Sequence, residues 1–274
     1  MEPITSITKN EYEDNNRVIG TPNRFVNSSI RFNGKNNTLY ICDGVKLNNS
    51  SIVFNGNNAL VYLSGSNEFY SINVLIYNRS TVFIGDNLAT NESLRIIAGE
   101  AKHVFIGNDC LISSCLLRTD DAHRLYDAIT GMRLNAGRSV YLGDHIWIGA
   151  QVNILKGSKL YSGCIIGSNA VLGGHEYFSS TAYGGVPAKI IRTDVAYDKR
   201  GTHGLVNETS NQIAKLSEEE LERIVYKKDE TFVPFDDIES FLNKEIDAQK
   251  RIVFLEQLKT NTSHNRFSLN INME

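Results

Sequence analysis

The chain has 274 residues, enough for one large domain with an appendage, and 41% of them are hydrophobic, enough for a sizeable core. A formal net charge of -3 speaks against a dedicated nucleic-acid binder and leaves any anionic ligand to a local cluster of Lys and Arg. The N-terminal segment (residues 1–19) lacks a basic stretch followed by an apolar one, and no run of about 18 apolar residues occurs. The sequence therefore predicts neither a secretory leader nor a membrane span, and a cytoplasmic location. Of the four cysteines, Cys42, Cys110, Cys115 and Cys164, none forms a close CxxC pair, so they read as free thiols rather than zinc or redox ligands.

From about residue 20 the dominant feature is repetition. The segments Leu39-Tyr40-Ile41, Val61-Tyr62-Leu63, Val82-Phe83-Ile84 and Val104-Phe105-Ile106 recur at steps of 22, 21 and 22 residues. Further apolar pairs, Ile52-Val53, Val74-Leu75 and Leu116-Leu117, lie about halfway between them. Turn residues such as NGNN and SGSN separate these runs. Each unit reads as one coil of a solenoid, which can bury its apolar face only by stacking on its neighbours.

The rhythm then tightens. Leu142, Ile148, Ile154, Leu160, Ile166 and Leu172 fall at every sixth position, with Ile146, Val152, Ser158, Cys164 and Ala170 four residues after the first five of them. A period of six fits neither a helix at 3.6 nor a simple amphipathic strand at 2, but suits a triangular coil with six residues per side. Residues 20–192 therefore read as one all-β solenoid. It is interrupted once, at 118–139, where RTDDAHRLYDAITGMRLNAGRS breaks the rhythm with polar residues and predicts a projecting loop.

Residues 193–274 change character. Ser217 is a plausible N-cap with Glu220 as its capping-box partner. Beyond Pro234, Ile238, Phe241, Leu242 and Ile246 keep helical spacing. Two helices over 217–259 are expected, their default role being to cap the solenoid end or to contact another subunit, followed by a loosely ordered tail, NTSHNRFSLNINME.

The hexapeptide rhythm, the phrase GDHIWIGAQVNILKG and the closing GGVPAKIIR resemble the hexapeptide-repeat acyltransferases, and residues 104–192 are similar to the bacterial capsule and polysaccharide O-acetyltransferases. The resemblance implies a left-handed parallel β-helix, a homotrimer with active sites between adjacent subunits, acetyl-CoA as co-substrate and a glycan acceptor. It also implies a catalytic histidine in the projecting loop, matched here by His123, and an aromatic shaping the cleft, matched by Trp147. Many relatives carry proline after the histidine; this chain has Arg124.

The chemistry fits the residues. A sugar hydroxyl is a poor nucleophile, and a neutral imidazole within reach can take its proton. His123, flanked by Asp120 and Asp121, suits that role, although spacing alone is equally compatible with a solvated loop histidine. His145, at a coil corner, is the runner-up base and a candidate acceptor contact, with a surface turn as the alternative; Tyr126 and Arg133 are further candidates in the loop. His103 and His175 read as structural or surface residues. Trp147 precedes inward-pointing Ile148 and so faces outward. Lys156, Lys189 and Arg192 are candidate partners for the phosphates of CoA, and the closing motif, with Gly185, Pro187, Ala188 and Lys189, matches the family's segment around the CoA tail. Gly149 and Ala150 are small enough to let backbone groups approach a thioester. No HExxH, clustered carboxylates or paired cysteines occur, so no metal is expected. Two other readings compete with O-acetylation of a surface polysaccharide. One is acetyl transfer to a small acceptor, such as a simple sugar, a nucleotide-linked amino sugar or an antibiotic. The other is a non-catalytic β-solenoid binding protein, which leaves the loop and the closing motif unexplained.

Overall fold

The computed structural model describes residues 2–206 and 215–271. Short strands stack into three parallel sheets that form the faces of a triangular prism, each coil contributing one strand to each face in turn. The first face has nine strands and runs from the Glu11–Tyr12 hairpin strand and Asn16–Ile19 to Glu176–Tyr177. The second has six, from Ala89–Thr90 to Lys189–Arg192, preceded in the early coils by the pair Arg24–Val26 and Lys46–Asn48. The third has seven, from Ser29–Phe32 to Val171–Leu172.

Register follows the repeat. On the first face Leu39 lies beside Val61, Val61 beside Val82, Val82 beside Val104 and Val104 beside Val140. On the third, Ile52 pairs with Val74, Val74 with Ile96 and Ile96 with Leu117, so Leu116 belongs to the outward column next to the row that its doublet suggested. The six-residue series occupies the three faces in rotation, and each member is at most 1% exposed. Corners need a left-handed backbone, which Asn and Asp tolerate best among residues with a side chain; Asn58, Asn87 and Asp109 supply it with φ of 57°, 58° and 59°.

Five successive first-face strands each carry an outward-pointing aromatic residue. Tyr40, Tyr62, Phe83, Phe105 and Tyr141 form a ladder with successive ring centroids 4.9, 5.1, 4.7 and 6.4 Å apart. Such a surface cannot be left to water, and the C-terminal helices cover it. Among the described residues the α-helices are α1 (Glu218–Glu222), α2 (Phe235–Lys244) and α3 (Ala248–Thr260). Phe235, Ile238 and Leu242 of α2 and Ile252, Leu255 and Leu258 of α3 bury themselves against the ladder as a second core. The appendage thus packs along the side of the prism, not over its end as the end-capping expectation had it. Ile4, Ile7 and Tyr12 pack on the core at the N-terminal end, and Tyr177, Tyr183 and Ala188 at the other.

The capping box at Ser217 and Glu220 forms as the sequence predicts. The second expected helix is two helices. Arg251, 1% exposed, donates to the Leu242 and Glu245 carbonyls at 3.1 and 2.6 Å and so satisfies the free end of α2, while Asp247 caps α3 by accepting from the Lys250 N–H at 2.9 Å. The tail also departs from expectation. Arg266, Phe267 and Ser268 are buried, and the Phe267 carbonyl accepts from the Ser162 N–H of a coil at 2.8 Å. Residues 272–274 of that tail lie outside the described residues. No helix among the described residues is long and apolar enough to cross a membrane.

Candidate active site

The interruption leaves the third face after Cys115–Arg118 and rejoins the first at Val140–Leu142, so it projects from the edge between those faces. Its outer part is a short hairpin. Tyr126 bridges to Arg133, and the Asp127 carboxylate closes the tip by accepting from the Ile129 and Thr130 N–H groups at 3.0 and 2.6 Å.

Its base is clamped by Asn135. This amide donates to Asp121 Oδ2 at 2.9 Å and to the His123 carbonyl at 2.8 Å, and accepts from the Leu125 N–H at 2.8 Å. Lys156, one coil on at the same edge, pairs with Asp121 and donates to the Asn135 carbonyl at 3.0 Å. The Lys156 ammonium holds the Asp121 carboxyl below its ordinary range. Arg133 likewise pairs with Glu100, whose other oxygen accepts from the Gly137 N–H at 2.9 Å. His123 therefore sits on a fixed backbone with an exposed ring that bonds to no described residue. Neither neighbouring carboxylate orients it: Asp121 is held by Lys156 and Asn135, and Asp120 accepts from the Ala122 N–H at 2.9 Å. Asn135 was not singled out from the sequence; the signal was there, since a projecting loop that must hold still needs a side chain with both donors and an acceptor.

A second group gathers on the second face. Trp147, 42% exposed, continues a row of outward residues through Ile165 and Ala182 to Arg192. Gly149 and Ala150 turn the adjoining corner, where their N–H groups donate to the Ile166 carbonyl at 2.8 Å and to Ser168 Oγ at 3.2 Å, so neither is free for a thioester oxygen. The closing motif folds back on this face: Lys189–Arg192 pairs antiparallel with Ala182–Gly184, and the Ala188 N–H bonds to the Val171 carbonyl at 2.9 Å. Gly185, Pro187, Lys189 and Arg192 are exposed there.

Two of the expected site residues lie elsewhere. Lys156 is at the opposite edge, paired with Asp121, so it is a loop anchor and not a neighbour of the closing motif. His145 is only 8% exposed, because the segment after Arg192 runs back over its corner. Tyr197 stacks on the ring at 4.2 Å, and the Tyr197 carbonyl lies 3.0 Å from its Nε2. Burial pushes the pKa of His145 down. A ring so covered cannot meet an acceptor. His103 is buried as a structural residue, its Nδ1 accepting from the Thr81 N–H at 3.1 Å, and His175 is exposed on the edge below the loop.

In a triangular prism the edge between the first and third faces stands opposite the second face. A single chain therefore holds His123 and Trp147 on opposite sides.

No family model matches the chain. It is 32% identical over 125 residues to a putative lipopolysaccharide biosynthesis O-acetyl transferase of Escherichia coli, covering 42% of this chain and 62% of that one, less than two thirds of its length. It is 28% identical over 192 residues to a polysialic acid O-acetyltransferase of Neisseria meningitidis, covering 69% and 79% of the two chains. The fold is similar to the crystal structure of the polySia specific acetyltransferase NeuO, with a TM-score of 0.59 and 25% identity over 75% of this chain and 100% of that one. The polysialic acid O-acetyltransferase OatWY shares the fold at a TM-score of 0.56 and 24% identity, over 72% and 95% of the two chains. Coil rhythm, closing motif and fold thus agree in one likeness: the chain, a left-handed parallel β-helix, resembles the hexapeptide-repeat acyltransferases, and among them the bacterial polysaccharide O-acetyltransferases.

Proposed function

We propose that this chain transfers acetyl from acetyl-CoA to a hydroxyl of a bacterial polysaccharide, in a site assembled between two copies within a homotrimer, with His123 as general base. The observation that carries the reading is the separation of the two residue groups. The loop edge of one prism, packed against the second face of a neighbour, brings His123 to Trp147 and the closing motif. The hairpin supports this, because Leu125, Ile129, Met132 and Leu134 are 58%, 96%, 67% and 60% exposed. So many uncovered apolar side chains on one arm suit a second copy of the chain.

The acceptor hydroxyl attacks the acetyl carbonyl carbon as its proton passes to the His123 ring. The carbon–sulfur bond then breaks, and the imidazolium returns the proton to the departing thiolate. Trp147 walls the cleft, and Lys189 and Arg192, exposed and without a side-chain partner among the described residues, offer cations for the phosphates of the co-substrate. The clamp at Asn135 fixes where the imidazole stands, so the chemistry relies on positioning together with proton transfer. The likeness to a polysialic acid O-acetyltransferase and to a putative lipopolysaccharide biosynthesis O-acetyl transferase favours a polymeric acceptor.

The test is thiol release from acetyl-CoA with a panel of capsular glycans, their monosaccharides and nucleotide-linked amino sugars. Turnover on polymer, with His123→Ala losing about 100-fold or more in rate while folding and binding acetyl-CoA normally, is the expected result. Turnover restricted to small acceptors would replace the polysaccharide, and a near-normal rate in that variant would remove His123 as the base.

A further inference from the structure

One turn of the preceding coil, residues 99–102, carries the chain from the third face to the first and touches the loop at three places. At the loop's entry, Thr119 Oγ1 accepts from the Gly99 N–H at 2.8 Å and donates to the Gly99 carbonyl at 3.0 Å. At its exit, the Gly137 N–H donates to Glu100 Oε2 at 2.9 Å. From the hairpin arm, the Arg133 guanidinium pairs with Glu100 Oε1. Arg133 also donates from Nε to Asn135 Oδ1 and from Nη2 to the Asn135 carbonyl, both at 3.4 Å, and Asn135 donates to the His123 carbonyl at 2.8 Å. Glu100, Arg133, Asn135 and His123 thus form one chain of contacts.

Three features of the turn serve this hold rather than the stacking of coils. The first is glycine at 99. A Cβ there would stand 2.0 Å from Asp120 Oδ2, so even alanine would push that carboxylate away from the Ala122 N–H, which it accepts at 2.9 Å beside His123. The second is the backbone. Glu100 and Ala101 are both left-handed, with φ of 55° and 53°, whereas Asn36 and Asn58 serve at earlier turns of the same edge. Asparagine tolerates that region and a glutamate seldom enters it, so the carboxylate is kept there at a conformational cost.

The third is a broken ladder. Along this edge Asn57 accepts from the Lys35 N–H and Asn78 from the Asn57 N–H, each at 2.8 Å, so side chains tie every turn to the one before. Ile76 pairs with Ala98 and Thr81 with His103, which puts Glu100 in the place of Asn78 one coil on. Its side chain turns the other way, forward into the loop.

We propose that Glu100 is a positioning residue for acetyl transfer: its carboxylate ties the exit and the arm of the loop to the prism and, through Arg133 and Asn135, sets where the His123 imidazole stands. This rests on the reading of His123 as the base. Arg133 is then a link in the hold and not an acceptor contact.

The experiment compares the full-length wild type with Glu100→Gly, Arg133→Ala and the double variant. The readouts are the melting temperature, amide hydrogen exchange across 118–139 against that of the coils, and kcat and KM for acetyl-CoA. Glu100→Gly removes the carboxylate and relieves the left-handed backbone, so it should melt close to wild type. Exchange should quicken about tenfold or more across 118–139 and stay unchanged in the coils. The kcat should fall about tenfold or more with the KM for acetyl-CoA unchanged. Arg133→Ala should show the same pattern and add little to Glu100→Gly, because both break one tie. Should the glycine variant fail to fold, Glu100→Gln keeps an oxygen for the Gly137 N–H, loses the charge that holds Arg133, and should match Arg133→Ala.

Unchanged exchange in 118–139, or early melting with faster exchange throughout the coils, overturns the proposal. If acetyl is transferred and kcat is unchanged although the loop has loosened, the positioning role falls and acetyl transfer stands. If the loop loosens as expected but the wild type acetylates no acceptor, the tie stands and acetyl transfer falls.

Discussion

The Arg266 guanidinium holds the Asp144 carboxylate by both oxygens, Nε to Oδ2 at 2.6 Å and Nη2 to Oδ1 at 2.7 Å. Arg266 also donates to the Leu258 and Asn261 carbonyls, and Asp144 accepts from the Asn108 N–H at 2.7 Å. One buried ion pair thus ties the end of α3, the tail and a coil corner together. Removing one partner leaves the other charge buried and unpaired, so Arg266→Ala should cost about 3–5 kcal/mol of stability, read from urea unfolding. Arg266→Met combined with Asp144→Leu should recover much of that loss, because an apolar pair carries no stranded charge.

Acid should weaken the fold through His103. Burial first, and the nearby Arg251 charge second, push its pKa from 6.5 down to about 3. The folded state keeps this ring neutral while the unfolded state protonates it, so the unfolded state binds more protons between those values. Stability is therefore complete above about pH 6.5 and falls as pH drops toward 3, by up to roughly 1.4 kcal/mol per pH unit. His103→Gln retains an acceptor for the Thr81 N–H and a donor for Asn243 without titrating. Its unfolding free energy, measured between pH 7 and 4, should show a shallower slope; an unchanged slope would assign the acid sensitivity elsewhere, with His145 the next group to examine.

In the proposed mechanism Asn135 acts on the chemistry only through His123, by holding its backbone. Asn135→Ala should lower kcat about 10- to 100-fold with little change in the KM for acetyl-CoA and an intact melting transition. A variant that melted early, or that raised the KM for acetyl-CoA in proportion, would mark a structural role instead.

The proposed sharing of the site between copies has a signature that single variants lack. His123→Ala and Trp147→Ala are each expected to be nearly inactive. Co-expressed, every mixed trimer contains one interface that pairs an intact loop with an intact second face, so random mixing should restore about a quarter of wild-type activity. No recovery, in mixed trimers verified by mass, would place both residues in one chain's own site or in no common site.

Much of the proposed site was legible because its residues sit at marked places in a repeat. His123 interrupts the rhythm and Trp147 stands one position before an inward residue, so both could be located without coordinates. Lys156 and His145 could not be judged that way. What decides each is a partner distant in sequence, Asp121 for the lysine and Tyr197 for the histidine, and neither partner is set by the period.

The sequence by itself determined the prism, the rung-to-rung register and the place where the loop leaves it, because stacking identical turns leaves one way to bury every inward aliphatic. The aromatics at positions 40, 62, 83 and 105 recur with the coils, and in the structure they face outward under a covering layer. Only the tertiary structure decided what that layer is, where the tail goes, which charges are left unpaired and which histidine stays open to solvent. Those outcomes depend on contacts between segments far apart along the chain, and periodicity, which is a local property, carries no information about them.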